Sequence, residues 1–193
     1  MNKERPIIFG SDMVKTILEG RKTQTRRVVK PQPVSGVRFS PFVPGQVEDG
    51  HGREMRCPYA VDRLWGRETW GYWGSIQTPE WVIYRADGDK AGMRWMSPIF
   101  MPRWASRITL NVVSVRVERL QEITHEDAIA EGVSIPDLIL SGGTYPNLKY
   151  SIDGPSTLRE YFRQMWDSIN AKRGYGWDNN PYVWVVKFER VGS

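Results

Sequence analysis

Apolar and polar positions alternate along this chain with two different periods, and together they predict a mixed fold. Ile7-Ile8-Phe9 is an apolar triplet that suits a short buried strand, and Gly10-Ser11 supplies a turn and a helix N-cap. Met13, Val14, Ile17 and Leu18 then recur at helical spacing, with Gly20 as the stop. Val28-Val29 is extended. Residues 30–60 are rich in Pro and Gly, show no clear period, and predict a long surface excursion. Loops of that length are uncommon in compact domains unless they serve a function.

Val61 to Trp65 and Trp81 to Tyr84 predict strands. Between Ile108 and Val117 the apolar residues Ile108, Leu110 and Val112 change phase to Val113, Val115 and Val117, as expected of one long strand with a bulge. Thr124-His125-Glu126-Asp127 has the form of a capping box, with Asp127 in place of the usual Glu, opening a helix that runs through Glu131 to Gly132. A second loop-rich stretch covers 134–156. Thr157 opens a further helix, with Leu158, Tyr161, Phe162, Met165, Trp166 and Ile169 on one stripe and Gly174 beyond its end. Tyr182 to Phe188 closes the chain as a strand. Without regular strand–helix alternation this order predicts an α+β domain, a curved sheet or small β-barrel flanked by short helices.

At 193 residues the chain fits one domain spanning 1–193, with loop-rich insertions near 30–60 and 134–156. Nine Trp and 40% hydrophobic residues provide ample core material and exclude a disordered chain. A net charge of +5 suits contact with phosphates or nucleic acid without requiring it. Cys57 is the only cysteine, so no intrachain disulfide is available, which fits a reducing compartment. The first residues lack the apolar run of a signal peptide, and no stretch approaches the length needed to span a bilayer. The expectation is a cytoplasmic protein without a membrane partner. His51, Cys57 and His125 lack the paired spacing of metal ligands, so no metal is expected.

The candidate chemistry sits after the first helix. Gly20-Arg21-Lys22-Thr23-Gln24-Thr25-Arg26-Arg27 resembles the signature of ASCH-domain proteins, in which Gly, a Lys two positions on and a later Arg recur; Gly20, Lys22 and Arg27 match. Thr25 stands where that signature usually has Glu. In this it is similar to the small bacterial ASCH amidohydrolases that remove the acyl group from N4-acetylcytidine. That resemblance implies Lys22 and Thr25 as catalytic residues, and Ile123 to Gly132 then matches the later helix that brings Glu131. Asp62 to Trp70 and Met101 to Arg107 resemble segments of longer ASCH proteins, many of them carried by phages and prophages. The family implies a PUA-like β-barrel.

Under that resemblance Thr25 would be the nucleophile, Lys22 its base, and Glu131 a proton carrier or substrate anchor, with no organic cofactor. Lys22 can act as base only if its pKa falls from about 10.4 toward neutrality. Arg21, Arg26, Arg27 and burial push it that way, whereas a charged Glu131 pushes back. Strand alternation adds a condition: Lys22 must lie in the turn after Gly20, since a strand beginning at Arg21 would point it away from Thr25. Thr25 and Arg27 share a face. Arg26, Arg27, Glu68 and Arg103 are further candidates for holding substrate. Trp65, Trp70, Trp73, Trp95 and Trp104 could stack on a base, at about 1–3 kcal/mol each.

Plainer readings stand beside these. Lys22, Arg26 and Arg27 could be a solvated basic face, Thr25 an ordinary strand residue, Arg67-Glu68 a structural ion pair, and most Trp residues core. The expected partner is a small nucleoside, with RNA as the alternative. In that case the chain would be an RNA-binding module or an ASCH-type ribonuclease.

Overall fold

A computed structural model describes residues 3–40, 43, 45–73, 81–133 and 155–192. Its main sheet has five strands, in the spatial order β1 (Glu4–Ile8), β6 (Arg63–Arg67), β9 (Thr109–Arg119), β10 (Tyr182–Arg190) and β2 (Gln24–Val28). β1 runs parallel to β6, and the other pairs are antiparallel. Among the described residues no ladder joins β1 to β2, so the sheet is open. Its ends nevertheless approach, because Arg27 on β2 donates to the Ile8 carbonyl at 2.6 Å and covers the Phe9 ring.

Two smaller sheets complete the strand inventory of the described residues. β7 (Trp70–Tyr72) pairs with β8 (Val82–Tyr84). β3 (Val37–Phe39), β4 (Gln46–Asp49) and β5 (Glu54–Arg56) form a meander. That meander corrects the expectation for 30–60. The segment is not a surface excursion, since Val47, Met55 and Cys57 are buried in the main core. Asp49 substitutes for a longer periodic pattern by accepting from the backbone N–H groups of Val34, His51 and Arg53, which folds the turns around it.

The predicted bulge is present. β10 pairs Lys187 with Ser114 and Phe188 with Val112, leaving Val113 unpaired and exposed. Strand alternation then sorts the two faces of β10. Trp184, Val186 and Phe188 join Phe9, Ile17, Leu64, Ile108 and Leu110 in one core. Val183 and Val185 face the other way, toward Leu120, Ile123, Ala128, Phe162, Trp166 and Trp177.

The helices follow from that division. α1 (Ser11–Leu18) packs Val14 and Ile17 into the first core, one residue earlier at its start than its pattern indicates because Gly10 rather than Ser11 is the N-cap. α2 (His125–Ala130) and α3 (Pro155–Asn170) cover the second face. Thr124 caps α2 by accepting from the Asp127 N–H at 3.1 Å. Asp127 does not close the box; its carboxylate turns to Arg26 and Arg116. The predicted loop at 134–156 falls mostly on 134–154, outside the described residues. No helix among the described residues is long and apolar enough to cross a membrane.

Candidate active site around Lys22, Thr25 and Glu131

Gly20, at φ +75°, ends α1 and turns the chain so that the amides of Arg21 and Lys22 both donate to the Thr16 carbonyl. β2 begins only at Gln24. Lys22 therefore lies in the turn, as the catalytic reading requires, and Thr25 and Arg27 share a face of β2 opposite Val186 and Trp184. Arg26 points to the other face, in register with Val185 and, one strand further, Arg116.

α2 delivers Glu131 to the same turn. The Thr23 N–H donates to the Ala130 carbonyl at 2.9 Å, joining the end of α2 to the start of β2. Gly132 makes the approach possible. At φ +87° it occupies a conformation that L side chains avoid, and an added Cβ would stand 2.8 Å from Thr16 Oγ1 and 3.1 Å from Lys22 Cβ.

Lys22 and Glu131 form a buried ion pair. Lys22 Nζ donates to Glu131 Oε2 and to the Glu131 backbone carbonyl, both at 2.8 Å, with side-chain exposures of 0% and 3%. Burial holds the Lys22 ammonium below its ordinary value of 10.5; Glu131 opposes that shift, and Arg27 and Arg26 add to it. The second carboxylate oxygen, Oε1, accepts from Arg26 Nη1 at 3.1 Å. Arg26 in turn binds Glu118 and Asp127, and Arg116 binds both of those carboxylates. Burial would raise the Asp127 carboxyl, but Arg26, Gln24 and Arg116 outweigh it and hold it below its ordinary value.

Two cavities meet at Glu131. One, about 780 Å³, lies between α1 and α3 and is lined by Lys15, Arg21, Tyr161 and Met165 among others. The second, about 380 Å³, is lined by Thr25, Arg26, Arg27, Tyr59, Trp184 and Glu131. Lys22 lines neither and sits behind Glu131. The Thr25 hydroxyl forms no hydrogen bond with any described residue, and the buried Nε–H groups of Arg26 and Arg27 also lack partners.

Of the residues singled out from sequence, Lys22, Thr25, Arg26, Arg27 and Glu131 come together. Trp65, Glu68, Trp70 and Arg103 line neither cavity. Trp65 is buried under the guanidinium groups of Arg67 and Arg103. Arg103 bonds Glu4, and Trp70 is buried beside Met101. Glu68 pairs with Arg107 through both oxygens rather than with Arg67, whose Nη1 donates to the Ile99 carbonyl. Burial raises the Glu68 carboxyl against the pull of Arg107. Cys57 is buried, and that pushes its thiol up to about 11.

Sequence reasoning missed Glu118, Arg116 and Asp127 as the charges behind Arg26. Arg116 and Glu118 alternate on the same face of β9 within an otherwise Val-rich strand, and that was the available signal. It also missed Tyr59, Phe162, Trp166 and Trp184 as the aromatic residues lining the smaller cavity. The chain matches no protein-family model, no curated protein and no solved structure.

Proposed function

We propose that this chain is an ASCH-type amidohydrolase that removes the acyl group from N4-acylated cytosine nucleosides, giving cytidine and a carboxylic acid. The observation that carries the proposal is the unpartnered Thr25 hydroxyl in the cavity that also exposes Glu131, whose carboxylate is bound to the fully buried Lys22.

Burial favours the uncharged form of Lys22, and the proposed reaction uses that form, which has two N–H donors and one lone pair. The two observed bonds, to the Glu131 carbonyl and carboxylate, use both donors and leave the lone pair as a base. In the proposed reaction Thr25 Oγ attacks the acyl carbon and its proton passes to the Lys22–Glu131 pair. Glu131, the member of the pair that lines the cavity, delivers a proton to N4 as the C–N bond breaks. Water then hydrolyses the Thr25 ester and releases the acid. Arg27 lies on the Thr25 face with a free Nε–H, and it is the donor available to the oxyanion. Tyr59, half-buried at the cavity, provides flat apolar surface for the base.

Chromatographic turnover of N4-acetylcytidine tests the proposal. Thr25→Ala and Lys22→Ala should abolish it, Glu131→Ala should do the same, and Thr25→Ser should retain part. Folded wild-type protein that turns over none of several N4-acyl cytidines refutes it and leaves salt-dependent RNA binding or cleavage as the reading to measure.

A further inference from the structure

The smaller cavity carries more positive charge than the proposed hydrolysis uses. Arg27, Lys30, Arg56 and Arg173 line it together with Arg26. They come from β2, the residue pair beyond it, β5 and the turn after α3, so no single helix or strand face places them there by accident of spacing. Glu131 is the only carboxylate among the described lining residues, and Lys22 and Arg26 occupy both of its oxygens.

Arg26 has its charge answered by Glu118 and Asp127. Among the described residues Arg27, Lys30 and Arg173 make no ion pair with a carboxylate, and Arg56 makes only a long one. The Arg27 guanidinium binds a backbone carbonyl and faces the Phe9 ring. Lys30 Nζ lies 5.0 Å from the Tyr175 ring centroid. Arg56 reaches Glu54 only at 4.0 Å, and both side chains are largely solvated. Arg173 has no carboxylate partner among the described residues. Lys30, Arg56 and Arg173 are exposed and solvated, so together they give the cavity a positive rim that attracts an anion.

We infer that this cavity takes a nucleotide rather than a free nucleoside. The acylated base lies against Thr25 and Glu131, and the phosphate lies among Lys30, Arg56 and Arg173, with Arg27 between the two ends. This rests on the hydrolase reading for the identity of the base, and the phosphate subsite can be measured apart from it.

Calorimetric binding of cytidine, cytidine 5′-monophosphate, inorganic phosphate and a short single-stranded RNA is the test, with wild type and an Arg56→Ala/Arg173→Ala variant. Both side chains are exposed, so the variant should fold. The monophosphate should bind about tenfold more tightly than cytidine, as expected for charge-assisted bonds to one phosphate. That advantage should shrink with added salt and disappear in the double variant. Equal affinity for the two ligands overturns the inference, as does an advantage that survives in the variant. Inorganic phosphate binding as tightly as the monophosphate, or RNA binding without monophosphate binding, overturns it too. A monophosphate advantage without turnover of any acylated substrate refutes the hydrolase and supports the subsite. Turnover with no preference for the phosphorylated substrate does the reverse.

Discussion

Replacing Glu131 by Gln should destabilise the protein more than replacing Lys22 by Met, although the two residues form one ion pair. The reason lies in the surrounding charges. With Lys22 protonated, Lys22, Arg26 and Arg116 are matched by Glu131, Glu118 and Asp127, three cations against three carboxylates joined by short contacts. Lys22→Met leaves Glu131 bound to Arg26, and Arg27, which Glu131 also attracts, makes up for the missing cation. Glu131→Gln leaves Lys22 Nζ fully buried with only neutral acceptors, beside Arg26 and Arg27. Removing one partner of a buried pair costs about 3–5 kcal/mol, and taking the low end gives about 3 kcal/mol because Gln retains an acceptor for Lys22. At about 2–4 °C per kcal/mol for a domain of this size, Tm should fall by about 6–12 °C, and by less than half of that for Lys22→Met. Thermal unfolding followed by far-UV circular dichroism reads both variants. A Glu131→Gln loss under about 2 °C, or a Lys22→Met loss that equals or exceeds it, would refute the charge balance.

The same buried lysine sets a pH dependence. Lys22 is depressed in the folded state, so between that lowered pKa and 10.5 the unfolded chain binds a proton that the native one does not, and stability contributed at this site rises with pH. Urea unfolding at increasing pH should therefore show wild type gaining on Lys22→Met, by at most about 1.4 kcal/mol per pH unit; a constant difference across that window contradicts it. Gly132→Ala forces a left-handed backbone and a Cβ against Thr16 and Lys22, and should cost about 1–3 kcal/mol in urea unfolding while lowering turnover. Glu68→Ala should lower Tm by leaving Arg107 with Asp87 alone, yet leave KM unchanged, because Glu68 lies outside both cavities. A raised KM in folded Glu68→Ala protein would return that residue to the substrate.

How far the fold could be read in advance depended on whether burial was carried by repetition or by contact. The long strand β9 declares itself, phase change included, because its alternation matches one face of β10 before Val113 and after it. The stripe of α3 is equally plain, since Leu158, Phe162 and Trp166 fill the second core at helical spacing. The β3–β5 meander gives no such signal. Its strands are three or four residues long, too short for a period to emerge, and the Asp49-Gly50 pair does not form a two-residue hairpin turn: residues 50–53 separate β4 from β5, and the Asp49 carboxylate organises them by accepting from His51 and Arg53. The site divides the same way. Lys22, Thr25 and Glu131 were visible because a short motif resembled a known one, whereas Trp65, Trp70 and Arg103 rested on residue type and on the looser resemblance of their segments, and neither distinguishes a substrate contact from a core residue or a surface ion pair.

The network behind Arg26 explains why the catalytic proposal depends on more than the three residues that perform it. A lysine can be held uncharged by burial alone, but the carboxylate needed to position it restores its charge. Here Glu131 divides its two oxygens, one to Lys22 and one to Arg26, so the carboxylate's attraction is shared between two cations. Arg26 accepts that share only because Glu118 and Asp127 hold its other amino group, and Arg116 holds those carboxylates in turn. Each step moves charge outward, from a fully buried Lys22 to an Arg116 that is 38% exposed, where solvent can screen what remains. A lysine poised as a base beside a glutamate is therefore consistent with its surroundings, and the balance is set on the face of the sheet opposite Thr25.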